Sequence, residues 1–581
     1  PQMVVSRMIV GGYRLVQTWF SVYWEPVIVG YEHRTVHVPD PRAVGFGAGI
    51  HNDLGLVRLR DSVVEGNTVA THLGSFGGGV SSVLGAVLAE DSRIQGNEAN
   101  ASTVLCSGGG VFNFAGWLRA TDSVFNRNRV DAGLFLSSGG GLKNTLLGVA
   151  EIRRCEFDGN VSGGGGGIAN DYLAALALDA SAVTGNRISG IIGANGGGIR
   201  NEAGGRATPD RCTIADNEAR GKAKGGGFYN QCEQLRIGPA DAPIIPIALT
   251  TAVLRNCTIS GNRAIGRGLL DLPLLAFGGG LYNGSFNLGI AVLDMYSCTI
   301  AGNEARDGLT AQGGGLYTSA LSSLKLKPAE NIPGLSIANL ANSLFATNAP
   351  SDLHNSLLGV TSLVNSDGYN LDSDGTGAAV TGSSGFRRGD ARLAPLARNG
   401  GPTSTHALLP GSAARDQGSP DGQLDEQRAP LTDQRGLPRS FGGRRDIGAH
   451  ESVPPTSFPD CYEVLEGRTL VRTQAGGLLA NDFGDAMTLH SVAPPAVGTL
   501  NVAPDGAFTY TSPRDYSGVV PFSYQAVDAQ GVVGPSTPVE ITVLRSLDLL
   551  DMVPPPHALA TDLAGPVTLT WMTAFWPTSR W

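Results

Sequence analysis

The chain has 581 residues, a net charge of −9, only 16% charged residues and 82 Gly. That length holds more than one domain, and the Gly share is about twice the ordinary one. An acidic balance without a basic stripe or basic–aromatic interleaving excludes a nucleic-acid surface, and no stretch reaches the ~18 apolar residues of a membrane-spanning helix.

Residues 1–40 carry Trp19, Phe20, Tyr23 and Trp24 but belong to no repeat. They read either as a cap on the first repeat or as sequence foreign to the fold. The chain starts at Pro1 without a signal-peptide layout, so a missing N-terminal portion is expected.

Over 41–349 one pattern recurs: Ser or Cys, an aliphatic or Phe two residues on, and Asn five residues on. The Ser/Cys positions are Ser62, Ser92, Ser123, Cys155, Ser181, Cys212, Cys257, Cys298 and Ser343. The Asn positions are Asn67, Asn97, Asn128, Asn160, Asn186, Asn217, Asn262, Asn303 and Asn348. Successive Asn lie 26 to 32 residues apart as far as Asn217, then 41 to 45 apart. Gly runs such as 77–79, 108–110 and 278–280 fall between the copies.

A fixed period of this length means one supersecondary unit per repeat, which buries its apolar face only against its neighbours. Apolar residues at alternating positions, as in Leu176 and Leu178 or Leu293 and Met295, have the two-residue period of strands. Asn and Gly are corner residues, tolerant of left-handed backbone. The expectation is an all-β chain: a right-handed, single-stranded parallel β-helix with three short strands per rung, followed by a small β-sandwich. Nine rungs at ~4.8 Å each give a rod of ~43 Å. Stacked Asn side chains are expected to bond one another up the rod, and the Ser/Cys to point inward as small side chains. Disulfides and a metal site are the other readings of the Cys, but no CxxC or Cys/His spacing supports them.

Two charged columns follow from the register. Asp61, Asp91 and Asp122 precede the Ser in successive copies, and Arg154 holds that position in the next. Three stacked carboxylates beside an Arg suit a cation or acid–base work on a polysaccharide; alternatively each Asp is a turn starter bonding its local backbone. Just after the Asn, Glu98 and Arg129, and then Glu218, Arg263 and Glu304, alternate in sign and read as a structural salt ladder. The insertions 239–250, 265–276 and 321–334 read as loops on one flank, either a binding edge or tolerated surface.

Residues 350–451 read as last rungs and a C-terminal cap. They contain Asn399-Gly400-Gly401-Pro402-Thr403, His406-Ala407-Leu408-Leu409-Pro410-Gly411-Ser412, Asp433-Gln434-Arg435-Gly436 and Asp446-Ile447-Gly448-Ala449-His450-Glu451. This segment resembles the close of bacterial choice-of-anchor Q surface proteins, and the rungs resemble those proteins and chlamydial polymorphic outer-membrane proteins. The resemblance spans roughly 45–451. It implies a pectin-lyase-like β-helix on the bacterial surface, without catalytic residues to carry over.

Residues 452–459 are a Pro-rich linker. Residues 460–545 alternate as strands with a hairpin turn at Asp505-Gly506, and resemble the cadherin-like, immunoglobulin-fold modules of bacterial surface proteins. That resemblance and their oxygen chemistry make Glu466, Asn481, Asp482, Asp485 and Asp528 a candidate Ca²⁺ site; no other cofactor is expected. Residues 546–581 read as an unstructured tail. The functional expectation is an extracellular, adhesin-like monomer meeting a glycan or surface protein. The alternative is a polysaccharide lyase or glycoside hydrolase using Asp61, Asp91, Asp122 and Arg154.

Overall fold

The computed structural model describes residues 2–17, 22–37, 44–71, 73–101, 105–131, 136–232, 249–267, 272–286, 289–321, 334–356, 361–381, 385–421, 423–439, 444–482, 484, 487–528 and 531–545. The chain forms two compact units that divide near Thr456, the first essentially 1–456 and the second centred on 457–545. The tail 546–581 and most of the late insertions lie outside the described residues. Strands Gln2–Gln17 and Val22–His37 pair antiparallel in a two-stranded sheet of their own, and the parallel stack begins at Val44.

The first unit is a parallel β-helix. One rung runs through Val80–Val83, Ala86–Glu90, Arg93–Gln95 and Glu98–Ala101. Each strand pairs in parallel with its counterpart in the rungs before and after, which builds four sheets of ten or eleven strands. We call them sheets I to IV in that chain order. A fifth, four-stranded sheet occurs in the early rungs only. The rung therefore has four or five strands rather than the three expected. The reason is the residue before each Ser/Cys: Asp61, Asp91, Asp122 and Arg154 have φ of 47°, 47°, 50° and 49°. A left-handed residue cannot continue a strand, so what looks like one alternating run is two strands meeting at a corner.

The core lies inside the coil. Val64, Ile94, Phe125, Phe157, Val183, Ile214, Ile259, Ile300 and Phe345 form one inward column with no exposed surface. Phe125 and Phe157 stack at 4.5 Å with their rings 2° apart. Each such side chain contributes about 1.5–3 kcal/mol of burial, which a rung realises only when both neighbours are present. The Gly runs close the turn between sheets IV and I. Gly278 has φ 65°, and a Cβ on Gly279 would meet the Glu304 backbone at 2.5 Å. Any side chain there would push successive rungs apart.

Residues 350–451 divide. Leu353–Ser356, Ser362–Gly368, Asn370–Asp372 and Phe386–Arg388 extend the sheets. The described residues of 389–452, expected as a cap, return along the outer face of sheet III as a strap. The Asn342 side chain accepts from Ser419 N at 2.8 Å, and Thr299 Oγ1 accepts from Ala449 N at 2.9 Å. The Thr258 hydroxyl donates to Gln434 Oε1 at 2.6 Å, and the Thr213 hydroxyl to Ser404 O at 2.6 Å. Burial records the cover. Val63–Glu65 and Arg93–Gln95 expose their outer side chains, whereas all three residues are buried in Thr213–Ala215, Thr258–Ser260, Thr299–Ala301 and Leu344–Ala346.

The two motifs at 433–436 and 446–451 lock this strap. Arg435 donates to Asp433 Oδ2 at 2.8 Å and to the Glu451 carbonyl, and Arg439 lies 3.4 Å from Glu451 Oε2, all of them buried. Arg439 also donates to Asn256 Oδ1 at 2.9 Å, tying the lock to the rod. Burial first, then Asp446, pushes the Glu451 carboxyl up to about 9. Removing Asp433 would strand the buried Arg435 charge.

The second unit has a four-stranded and a three-stranded sheet. Asp460–Leu465 pairs in parallel with Thr537–Leu544, which pairs antiparallel with Gly518–Val527. Thr469–Arg472 and Thr499–Val502 flank Phe508–Thr511. Tyr510, Tyr524, Ala526 and Ile541 lie buried in this unit.

Candidate functional site

The Asn column is continuous. Each Nδ2 from Asn67 to Asn303 donates to the Oδ1 of the Asn one rung on, at 2.8–3.0 Å. Each Oδ1 also takes the backbone N–H of the Asn before it, as Asn160 Oδ1 does from Asn128 N at 3.0 Å. Asn348 donates to Asp352 Oδ1 at 2.8 Å, and Asp352 Oδ2 accepts from Ser373 N and its hydroxyl. At the corner between sheets I and II runs a second column that sequence reading missed: Asn113, Asn144, Asn170, Asn201, Asn230 and Asn283, linked at 2.7–2.9 Å and fully buried. Its signal is an Asn three residues after the last Gly of a run. Both columns are scaffold.

The nine Ser/Cys are buried at the corner between sheets II and III. Ser92 Oγ accepts from Ser62 N at 3.2 Å and donates to Glu90 O at 2.7 Å, and Cys155 Sγ takes this place two steps further on, accepting from Ser123 N at 3.4 Å. The seven Cys are free thiols. Burial pushes the Cys155 thiol up to about 12, and burial with its Cys212 and Cys298 neighbours raises Cys257. Thiols so held are poor nucleophiles.

Asp61, Asp91, Asp122 and Arg154 stack at the exposed left-handed corner. Arg154 grips Asp122 with two bonds of 2.7 and 2.6 Å, and this guanidinium lowers the Asp122 carboxyl below its ordinary value. Short polar side chains favour this backbone because they bond locally. The same corner is filled later by Ala180, Arg211, Asn256, Ser297 and Asn342. In the neighbouring charged column Glu98 faces Arg129, and Arg263 faces both Glu218 and Glu304, in strict register; Glu98 and Arg129 are 4.0 Å apart.

One residue before that corner, the outer face of sheet II carries a depression of about 380 Å³. Arg119, Glu151, Arg153, Asp179, Asp210 and Arg255 bound it, with Ala177 and Thr208 at its floor. Small side chains over two rungs between longer ones on either side make the hollow. Arg211 donates to Asp179 at 2.6 Å, and Arg153 lies 3.5 Å from it. Asp210 is the direct register partner of Asp179, and burial, then this neighbour's charge, raises its carboxyl against the pull of Arg211. Asp210 Oδ1 is a buried acceptor without a hydrogen bond. Sequence reading passed over Arg153, Asp179, Asp210 and Arg255 because the position they share, two before the Ser/Cys, carries no repeated letter: Arg60, Glu90 and Thr121 hold it in the earlier rungs.

In the second unit, Asp482 accepts from Phe458 N at 2.8 Å and from the Tyr524 hydroxyl at 2.6 Å, while Asn481 donates to Pro459 O at 3.3 Å. Glu466 donates its backbone N–H to Leu544 O at the sheet's end. Asp528 Oδ1 closes a local turn with Val532 N at 2.8 Å, and Asp485 lies outside the described residues. Among the described residues no three His, Cys, Asp or Glu side chains gather closely enough to share an ion. No helix among them is long and apolar enough to cross a membrane.

Residues 453–542 match the bacterial Ig domain family. No curated protein and no solved structure matches the chain.

Proposed function

We propose that this chain is an extracellular, cell-surface binding protein in which the β-helix presents the outer face of sheet II to a glycan. Bacterial Ig domains are typical of surface proteins, which supports the location. The closing motif at 433–451 and the Gly-run rungs support a surface protein of the choice-of-anchor Q type. The observation that carries the ligand reading is the depression bounded by three guanidinium and three carboxylate groups. A polyhydroxylated ligand fits that lining, because hydroxyls accept from Arg and donate to Asp or Glu. Such sites lie on rigid scaffolds that need not move to bind.

The test is a glycan array and retention on immobilised polysaccharide, with the whole chain and with Ala177→Phe. Ala177 is exposed at the floor of the hollow, so Phe fills the hollow without disturbing the core. Binding lost in the variant supports the reading; binding that Ala177→Phe leaves unchanged, or an empty array, refutes it. A second reading, cleavage of a polysaccharide, is favoured by the Asp179–Asp210 pair, in which one carboxyl is raised beside another held by arginines. New reducing ends that vanish in Asp210→Asn would establish it.

A further inference from the structure

Between the strap and sheet III lies a half-open cavity of about 330 Å³ lined by Ser260, Thr347, Ser373, Asp390, Arg392 and His406 among others. His406 Nδ1 lies 2.7 Å from the Ala394 carbonyl oxygen and Nε2 lies 2.8 Å from Ser260 Oγ. A carbonyl oxygen only accepts, so Nδ1 carries the ring hydrogen and Nε2 presents its lone pair. The Ser260 hydroxyl must then donate to Nε2. Burial holds the His406 imidazole below its ordinary value, the Ala394 bond opposing and His450 adding to the shift, so the ring is a neutral base at neutral pH.

Other sheet III hydroxyls also meet the strap, but differently. Thr213, Thr258 and Thr299 bond a backbone carbonyl, an amide side chain and a backbone N–H, none of which takes a proton, and none of the three lines this cavity. Ser260 alone of the four has both a base and open space before it.

We propose that Ser260 and His406 are a nucleophile–base pair that hydrolyses small carboxylic esters entering this cavity. Ser260 Oγ attacks the ester carbonyl carbon as its proton passes to His406 Nε2. The bond from that carbon to the leaving oxygen breaks, and the departing alkoxide takes the proton from Nε2. Water repeats the sequence on the acyl-serine, releasing the carboxylic acid and restoring the hydroxyl. Ala394 holds the imidazole in the working tautomer, the role a carboxylate plays in serine triads. Arg392 supplies positive charge in the lining for the oxyanion. The volume lies at the small end for ligand sites, which restricts the acyl group to a short one.

The experiment uses the full chain with p-nitrophenyl acetate and, separately, a fluorophosphonate probe with peptide mapping. An ordinary serine hydroxyl does not react with such probes, so modification reports activation by the imidazole. Ser260→Ala is a conservative control, because the register partners of Ser260 on either side are Ala215 and Ala301. The expected result is an adduct on the peptide carrying Ser260 and nitrophenol release that falls at least ~100-fold in the variant. No adduct at Ser260, or hydrolysis unchanged in Ser260→Ala, overturns the proposal.

Discussion

Replacing Asn160 by Ala removes the middle of the Asn column. Asn160 has no exposed surface and makes four side-chain bonds: Nδ2 to Asn186 Oδ1 and to Phe125 O, both at 2.9 Å, and Oδ1 from Asn128 N and Asn128 Nδ2, both at 3.0 Å. At about 1 kcal/mol net per bond the loss is roughly 4 kcal/mol. The Asn128 N–H is left facing a void, where a buried unsatisfied donor costs about 1–3 kcal/mol, so the estimate is a floor unless water enters. In a solenoid the damage is local, since each rung touches only its neighbours. Hydrogen exchange is therefore the right measurement. Amides of 125–190 should exchange faster by about a thousandfold, while those of 290–345 keep their protection. A change below tenfold in the first stretch, or equal loss in both, would refute a column whose bonds hold adjacent rungs together.

Gly279→Ala should destabilise the rod severely, because its Cβ has only the Glu304 backbone to meet, whereas Gly302→Ala at an open corner with φ 63° should cost about 1–2 kcal/mol; comparable thermal shifts would contradict this. Asp122→Ala should change stability by no more than ~1 kcal/mol despite the two short bonds, since both partners are exposed; chemical denaturation checks it. In the second unit, burial and then Asp482 push the Asp460 carboxyl up to about 7 from its ordinary 3.8. Between those values the folded form holds a proton that the unfolded chain has lost. Stability of that unit should therefore fall as pH rises from about 4 to about 7, by up to ~1.4 kcal/mol per pH unit, and level off above. Calorimetry should find a lower Tm at pH 7.5 than at pH 5, with the slope removed in Asp460→Asn; a Tm rising over that interval would contradict the assignment.

The β-helix was legible because a solenoid is nearly one-dimensional. The five-residue offset from Ser/Cys to Asn reflects a corner, a three-residue strand and a second corner, so counting residues amounts to tracing the rung. The left-handed residue before the Ser was not legible as a break, since Asp, Arg, Ala, Asn and Ser all occupy it and alternation continues across it. The strap was harder still. Its contacts join Thr213 to Ser404 and Thr258 to Gln434, 191 and 176 positions apart, and no period links them. For the same reason the hollow beside Asp210 and the Ser260–His406 pair were invisible: each depends on which side chains are short, or which segment folds over them, and not on a repeated letter.

The amides of the Asn column point one way. Every NH2 faces the following rung and every C=O the preceding one, and the second column has the same sense. Aligned head to tail, such groups polarise one another and add up to a macrodipole, as peptide units do in a helix, with its positive pole at the Asn348 end. A carboxylate, Asp352, stands at that pole. Asp352 is itself buried, and the sheets run on beyond it as far as Phe386–Arg388, so the charge ends the column of amides inside the rod and leaves its last donor paired.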